Sequence, residues 1–153
     1  MNKDIISKNG FLKSHLNSIE VLSNNFPKYF HELCDNYKIP INKQSDIKTL
    51  ISWDKILDKS YFFYDYENNE IEIANWLKSS PMRMSCYLTI EFGYNLPIIK
   101  VTTKEFINFW NDFVAASGFS GITCISDDGK YFLEFTDDSE SLLFSNFTIN
   151  PKQ

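Results

Sequence analysis

The spacing of apolar residues changes at Lys59, and that change limits the folds open to this chain. Before it, apolar residues recur every three or four positions; after it they alternate, with one helical stretch, residues 102–117, set among the alternating segments. Helices followed by strands, with one inserted helix, predict an α+β fold. Its first sixty residues would be helical and its sheet mainly antiparallel. At 153 residues the chain is expected to form a single domain, residues 1–153.

In the helical part, Leu12, Leu16, Ile19 and Leu22 share one helical face. Pro27 opens a second helix, with Tyr29, Phe30, Leu33, Cys34 and Tyr37 on its apolar side and Ile39-Pro40 closing it. Ser45 is placed to cap a third, carrying Ile47, Leu50, Ile51, Trp53, Ile56 and Leu57. Segments 61–66 and 70–74 read as strands joined around Asn68-Asn69, while 75–82 shows no clear pattern. Cys86, Leu88, Ile90 and Phe92 alternate with polar partners, and 98–101 reads as a further strand. Thr102-Thr103-Lys104-Glu105 is a capping box, with Val101 and Phe106 spaced as its hydrophobic staple. Gly118 suits the left-handed residue that ends the helix. Strands at 122–126 and 131–136 flank Asp127-Asp128-Gly129, a hairpin signal, and 142–149 adds a last strand.

Net charge is −5, unevenly spread. Residues 1–60 hold nine Lys and seven acids; residues 118–153 hold two Lys and six acids. A phosphate backbone would be repelled by the acidic half, so no nucleic-acid partner is expected. Three cysteines without a CxxC pair read as reduced, mostly buried thiols, which fits a cytoplasmic protein. Charges interrupt the N-terminal apolar residues, and no run approaches the roughly 18 residues of a membrane span, so neither export nor membrane attachment is expected.

Motifs for catalysis are incomplete. His31-Glu32-Leu33-Cys34-Asp35 begins like a helical zinc-protease motif, but Asp35 stands where the second His is needed. Gly118-Phe119-Ser120-Gly121 lacks the spacing of a nucleophile elbow and has no His after it, so a helix stop and turn explain it better. The acids around Asp127 and Asp137 do not match a twelve-residue calcium loop. Glu91 and Glu134 lie on predicted strands and could face each other as the acid and base of a small hydrolase, though a solvated sheet face accounts for them more simply. No cofactor, metal or catalytic residue is expected.

Ten of the twenty carboxylates sit in two stretches near aromatic residues. Asp65, Glu67, Glu70 and Glu72 lie beside Tyr61, Phe62, Phe63, Tyr64 and Tyr66; Asp127, Asp128, Glu134, Asp137, Asp138 and Glu140 surround Tyr131, Phe132 and Phe135. Aromatic anchors among negative charges suit a basic protein partner. The candidate contacts are Asp65, Tyr66, Glu67, Glu70, Glu72, Asp137, Asp138 and Glu140. The protein is expected to act through this surface as a non-enzymatic binder.

Residues 109–118, Phe-Trp-Asn-Asp-Phe-Val-Ala-Ala-Ser-Gly, followed by Asp128-Gly129-Lys130, Glu134-Phe135-Thr136-Asp137-Asp138 and Ser145-Asn146-Phe147, resemble the C-terminal halves of small acidic immunity proteins of bacterial toxin systems, including contact-dependent inhibition. The resemblance spans residues 96–150. It implies a cytoplasmic protein that binds and occludes the C-terminal domain of a cognate toxin, often a nuclease with a basic active site. It carries over a role and no binding residue. An adaptor with another partner, or the carboxylate-dependent hydrolase, are the alternative expectations.

Overall fold

A computed structural model describes residues 3–24, 26–42, 49–65, 67–92, 96–118, 120–137 and 141–148. The fold is α+β, built on a seven-stranded sheet in which every pairing is antiparallel. In chain order the elements are α1 (Asp4–Ser7), β1 (Ile19–Ser23), α2 (Phe26–Tyr37), β2 (Ser60–Phe63), α3 (Glu70–Ser79), β3 (Tyr87–Glu91), β4 (Ile98–Thr102), α4 (Thr103–Asn108), α5 (Trp110–Ala116), β5 (Gly121–Ser126), β6 (Phe132–Asp137) and β7 (Ser141–Ser145), with short 3₁₀ segments at Lys13–Ser18, Trp53–Lys55 and Pro81–Met84. The strands lie in the order β1-β4-β3-β5-β6-β7-β2, so β1 and β2 form the two edges. Among the described residues, no helix is long and apolar enough to cross a membrane.

Both faces of the sheet are covered. Leu88, Ile90, Ile99, Val101, Cys124, Leu133, Phe135 and Leu143 point to one side, where Ile73, Trp76 and Leu77 of α3, Phe106 of α4 and Trp110 and Phe113 of α5 pack on them. Trp110 stacks on Phe135, ring centroids 5.3 Å apart, and its indole N–H donates to the Glu70 carbonyl at 3.0 Å. Ile98, Ile125 and Phe132 point to the other side, under Phe30 and Cys34 of α2 and under Ile51 and Trp53.

Several expectations change. The first third is mixed, because Ile19 and Val21 pair with Val101 and Ile99 in β1 and leave the helical face their spacing suggested. Ile19-Glu20-Val21 alternates buried, exposed, buried, so a strand signal was present beneath the helical one. Of the proposed third helix, residues 43–48 lie outside the described ones. The remainder is not α-helical: Ile51 bridges Ile41, and only Trp53–Lys55 makes a 3₁₀ turn. Glu70 and Glu72, read as strand residues, open helix α3 instead. There, acids favour the positive end of the helix, and Ile73, Trp76 and Leu77 give it a buried stripe. The inserted helix is present as α4 and α5, divided at Phe109, whose φ of −132° breaks the helical path. Thr102 caps it as expected, accepting from the Glu105 N–H at 3.2 Å, and both staple residues are buried.

Candidate functional site

The alternation along β2 turns Phe62 towards the core and Tyr61 and Phe63 outward, where they are 62% and 54% exposed. Their rings meet edge-on with centroids 6.0 Å apart. Tyr61 also approaches Phe144 at 6.3 Å, and Phe144 stacks on Trp53 at 5.3 Å. The exposed pair therefore rests on an aromatic base, which holds two apolar side chains in place at a sheet edge. Among the described residues β2 pairs with β7 alone, which makes it an edge strand of the sheet.

Pairing also gathers part of the acidic residues beside this edge. Phe63 is opposite Leu142, Leu142 opposite Thr136, and Asp137 opposite Ser141, whose carbonyl accepts from the Tyr64 N–H at 3.0 Å. The start of the first acidic stretch and Asp137 thus reach the same end of the sheet. Tyr66, Asp138 and Glu140 lie outside the described residues, and Asp137 is placed by its backbone alone. Asp65 is exposed and holds the following turn, accepting from the N–H of Glu67 at 2.9 Å, the N–H of Asn68 at 3.3 Å and the Asn68 side-chain amide at 2.7 Å. These donors, the Glu67 N–H first, hold its carboxyl below the usual range. Glu70 accepts from the Asn111 side chain at 2.8 Å and Glu72 from Asn69 at 3.2 Å, while Glu67 is exposed.

The second stretch does not stay together. Asp127 and Asp128 close the β5–β6 loop at the far end of β6 from Asp137. Asp128 accepts from Ser126 and from the Lys130 N–H, and those bonds pull its carboxyl down. Glu134 lies between, inside the protein. Tyr64, Phe132 and Phe135 are buried and belong to the core, so they offer no anchors.

Glu91 and Glu134 are not on a solvated face. They are 3% and 4% exposed, because α2 and residues 49–53 cover that side of the sheet. Glu91 pairs with Thr123 and Thr123 with Glu134, so all three share one face, the two glutamates about 10 Å apart at Cα. Glu134 accepts from the Leu50 N–H at 2.8 Å, the Trp53 indole N–H at 2.9 Å and the Ile51 N–H at 3.3 Å. Burial pushes its carboxyl up to about 7 against the pull of these donors. This carboxylate fixes the 50–53 segment over the sheet, and its acceptors replace those a helix would have supplied.

His15 was also unforeseen. It is buried, with Nδ1 2.7 Å from Glu105 and Nε2 2.9 Å from Asp112. Its nearest sequence neighbours carry no sign of those partners, which arrive from α4 and α5. His31 is exposed on α2. Cys34 and Cys124 are buried as expected, whereas Cys86 is exposed, because it precedes β3 and lies outside its alternation. Among the described residues, no group of three or more His, Cys, Asp or Glu is placed to hold a metal ion.

No protein-family model, no curated protein and no solved structure matches the chain significantly.

Proposed function

We propose that this chain is an immunity-type protein that binds the basic C-terminal domain of a cognate toxin in the cytoplasm and occludes it without chemistry of its own. The supporting observation is the pair of exposed rings, Tyr61 and Phe63, on an edge strand that leads into Asp65, Glu67 and the first turn of α3. Buried rings supply most of the energy of such interfaces, and surrounding negative charge speeds capture of a cationic partner. As an edge strand among the described residues, β2 is placed for a partner strand to add to the sheet. The test is co-expression with the toxin domain encoded beside this gene. The native chain should restore growth, and Tyr61→Ser/Phe63→Ser with Glu67→Lys should not, although it folds. Rescue by that variant ends this surface assignment; the absence of any such toxin favours an adaptor with another partner.

A second reading, a small hydrolase, has one observation in its favour: Glu91 and Glu134 share a sheet face, and burial brings Glu134 to about 7. Its test is whether Glu91→Gln abolishes a hydrolytic activity of the native chain.

A further inference from the structure

Where the end of α3, the 3₁₀ turn at Pro81–Met84 and the start of α4 meet, they border an open cavity of about 590 Å³. Lys78, Arg83 and Lys104 line it, one from each element, and no acidic residue does. Among the described residues, none of these three cations lies within ion-pair distance of a carboxylate; the ion pairs there are those of His15. In a chain of net charge −5, three uncompensated cations around one cavity make a local positive field that runs against the whole molecule. Arg83 is steadied by donating to the Ser80 carbonyl at 3.4 Å.

Thr103 supplies an independent observation. It lines the same cavity and is 2% exposed, and its Oγ1 is the one buried side-chain nitrogen or oxygen without a hydrogen-bond partner among the described residues. A buried hydroxyl left unbonded is costly, and this one belongs to a residue on the wall of the cavity. Met84 and Ile107 add apolar lining, and the volume falls within the roughly 300–1,000 Å³ of small-molecule sites.

We propose that this cavity binds an organic anion, its apolar body against Met84 and Ile107 and its phosphate or carboxylate head held by Lys78, Arg83 and Lys104, with the Thr103 hydroxyl as a further donor. This site is separate from the β2 edge and does not depend on its role.

The probe is the fluorescent apolar anion 1-anilinonaphthalene-8-sulfonate, titrated onto the native full chain. Lys78→Ala/Arg83→Ala/Lys104→Ala should weaken its binding about tenfold or more, with circular dichroism unchanged. Lys104→Glu alone, the milder variant, should weaken it in the same direction. Thr103→Val should weaken it about fivefold while leaving the melting temperature unchanged or higher, since no native hydrogen bond is lost. A hydroxyl with a purely structural role would lower it. Tyr61→Ser/Phe63→Ser should bind the dye as the native chain does. Displacement by phenyl phosphate alone assigns a phosphate ester, by phenylacetate alone a carboxylate, and by both an anion of either kind. Failure of both to displace the dye overturns the proposal, as does dye affinity that survives the triple substitution or follows Tyr61 and Phe63.

Discussion

The Nε2 of His15 lies 2.9 Å from Oδ2 of Asp112, a contact between residues ninety-seven positions apart. Its Nδ1 lies 2.7 Å from Glu105, and its ring packs between Phe109 and Phe113 at 4.8 and 5.3 Å. Only the imidazolium donates from both nitrogens at once. Desolvation by burial alone would lower its pKa, but the hydrogen bonds to Asp112 and Glu105 outweigh it, and the pKa is raised. The ring thereby joins the segment before β1 to α4 and α5.

This clamp should weaken in alkali. An unfolded histidine titrates near 6.5, below the folded group, so the stabilisation is complete below that value and is lost as pH rises through the folded pKa. His15→Gln should cost about 1–3 kcal/mol at pH 6, and the gap to the native chain should narrow by pH 9. Urea unfolding at both values measures it. A gap that is the same at both would show that the ring is held neutral.

Glu134 has the opposite dependence from a salt-bridged acid. Burial raises its folded pKa from 4.5 to about 7, so between those values the folded chain keeps a proton that the unfolded chain has released. Stability should therefore fall as pH rises through that window, by at most about 1.4 kcal/mol per pH unit. Glu134→Gln should remove this slope and cost about 1–3 kcal/mol, because its amide group would face the Leu50 N–H or the Trp53 indole. Unfolding curves of the two proteins from pH 4.5 to 8 separate this slope from that of His15. Parallel curves would mean that Glu134 is already ionised at pH 4.5.

Local chemistry was legible where a short stretch carried its own partners. The Thr102 cap, the Val101–Phe106 staple and the Gly118 stop are all in place, because each depends on residues within a few positions. Position relative to distant segments was not. Alternation marked Glu91 and Glu134 as facing away from Leu88 and Leu133, but alternation does not say whether that second face meets water or α2. Ile19 and Val21 fit two periods, and pairing with β4 decided between them. Of the proposed docking face, the sequence marked the aromatic run 61–66 beside the acids and chose Tyr66 as its ring; it did not single out Tyr61 and Phe63, whose exposure follows from the alternation of β2. It did not show that β2 would be an edge, or that Asp127 and Asp128 would be carried to the other end of β6.

Two glycines near one turn should respond differently. Gly118 has φ of 72° and open space around it, whereas Gly121 has φ of 103° and a Cβ there would collide with the Phe135 backbone carbonyl across the β5–β6 pairing. Gly118→Ala should cost about 1 kcal/mol through strain in the left-handed region alone. Gly121→Ala should cost about 2 kcal/mol or more, since the strands must part. Thermal unfolding of the two variants orders them, and equal losses would refute the collision as the source.

The three thiols should divide by burial. Burial pushes Cys34 up to about 12, with Asp35, Glu134 and Glu91 adding negative charge nearby, and fully buried Cys124 is also raised well above the ordinary value. Thiolate is the reactive form, so both are protected twice, by access and by protonation. Cys86 is exposed and lines the same cavity as Lys104. Reaction with neutral iodoacetamide at pH 8 should label one thiol in the folded chain and all three in urea, and Cys86→Ser should abolish the folded-state label. Labelling of Cys34 at a comparable rate would mean that α2 lifts from the sheet, exposing Glu91 and Glu134 beneath it.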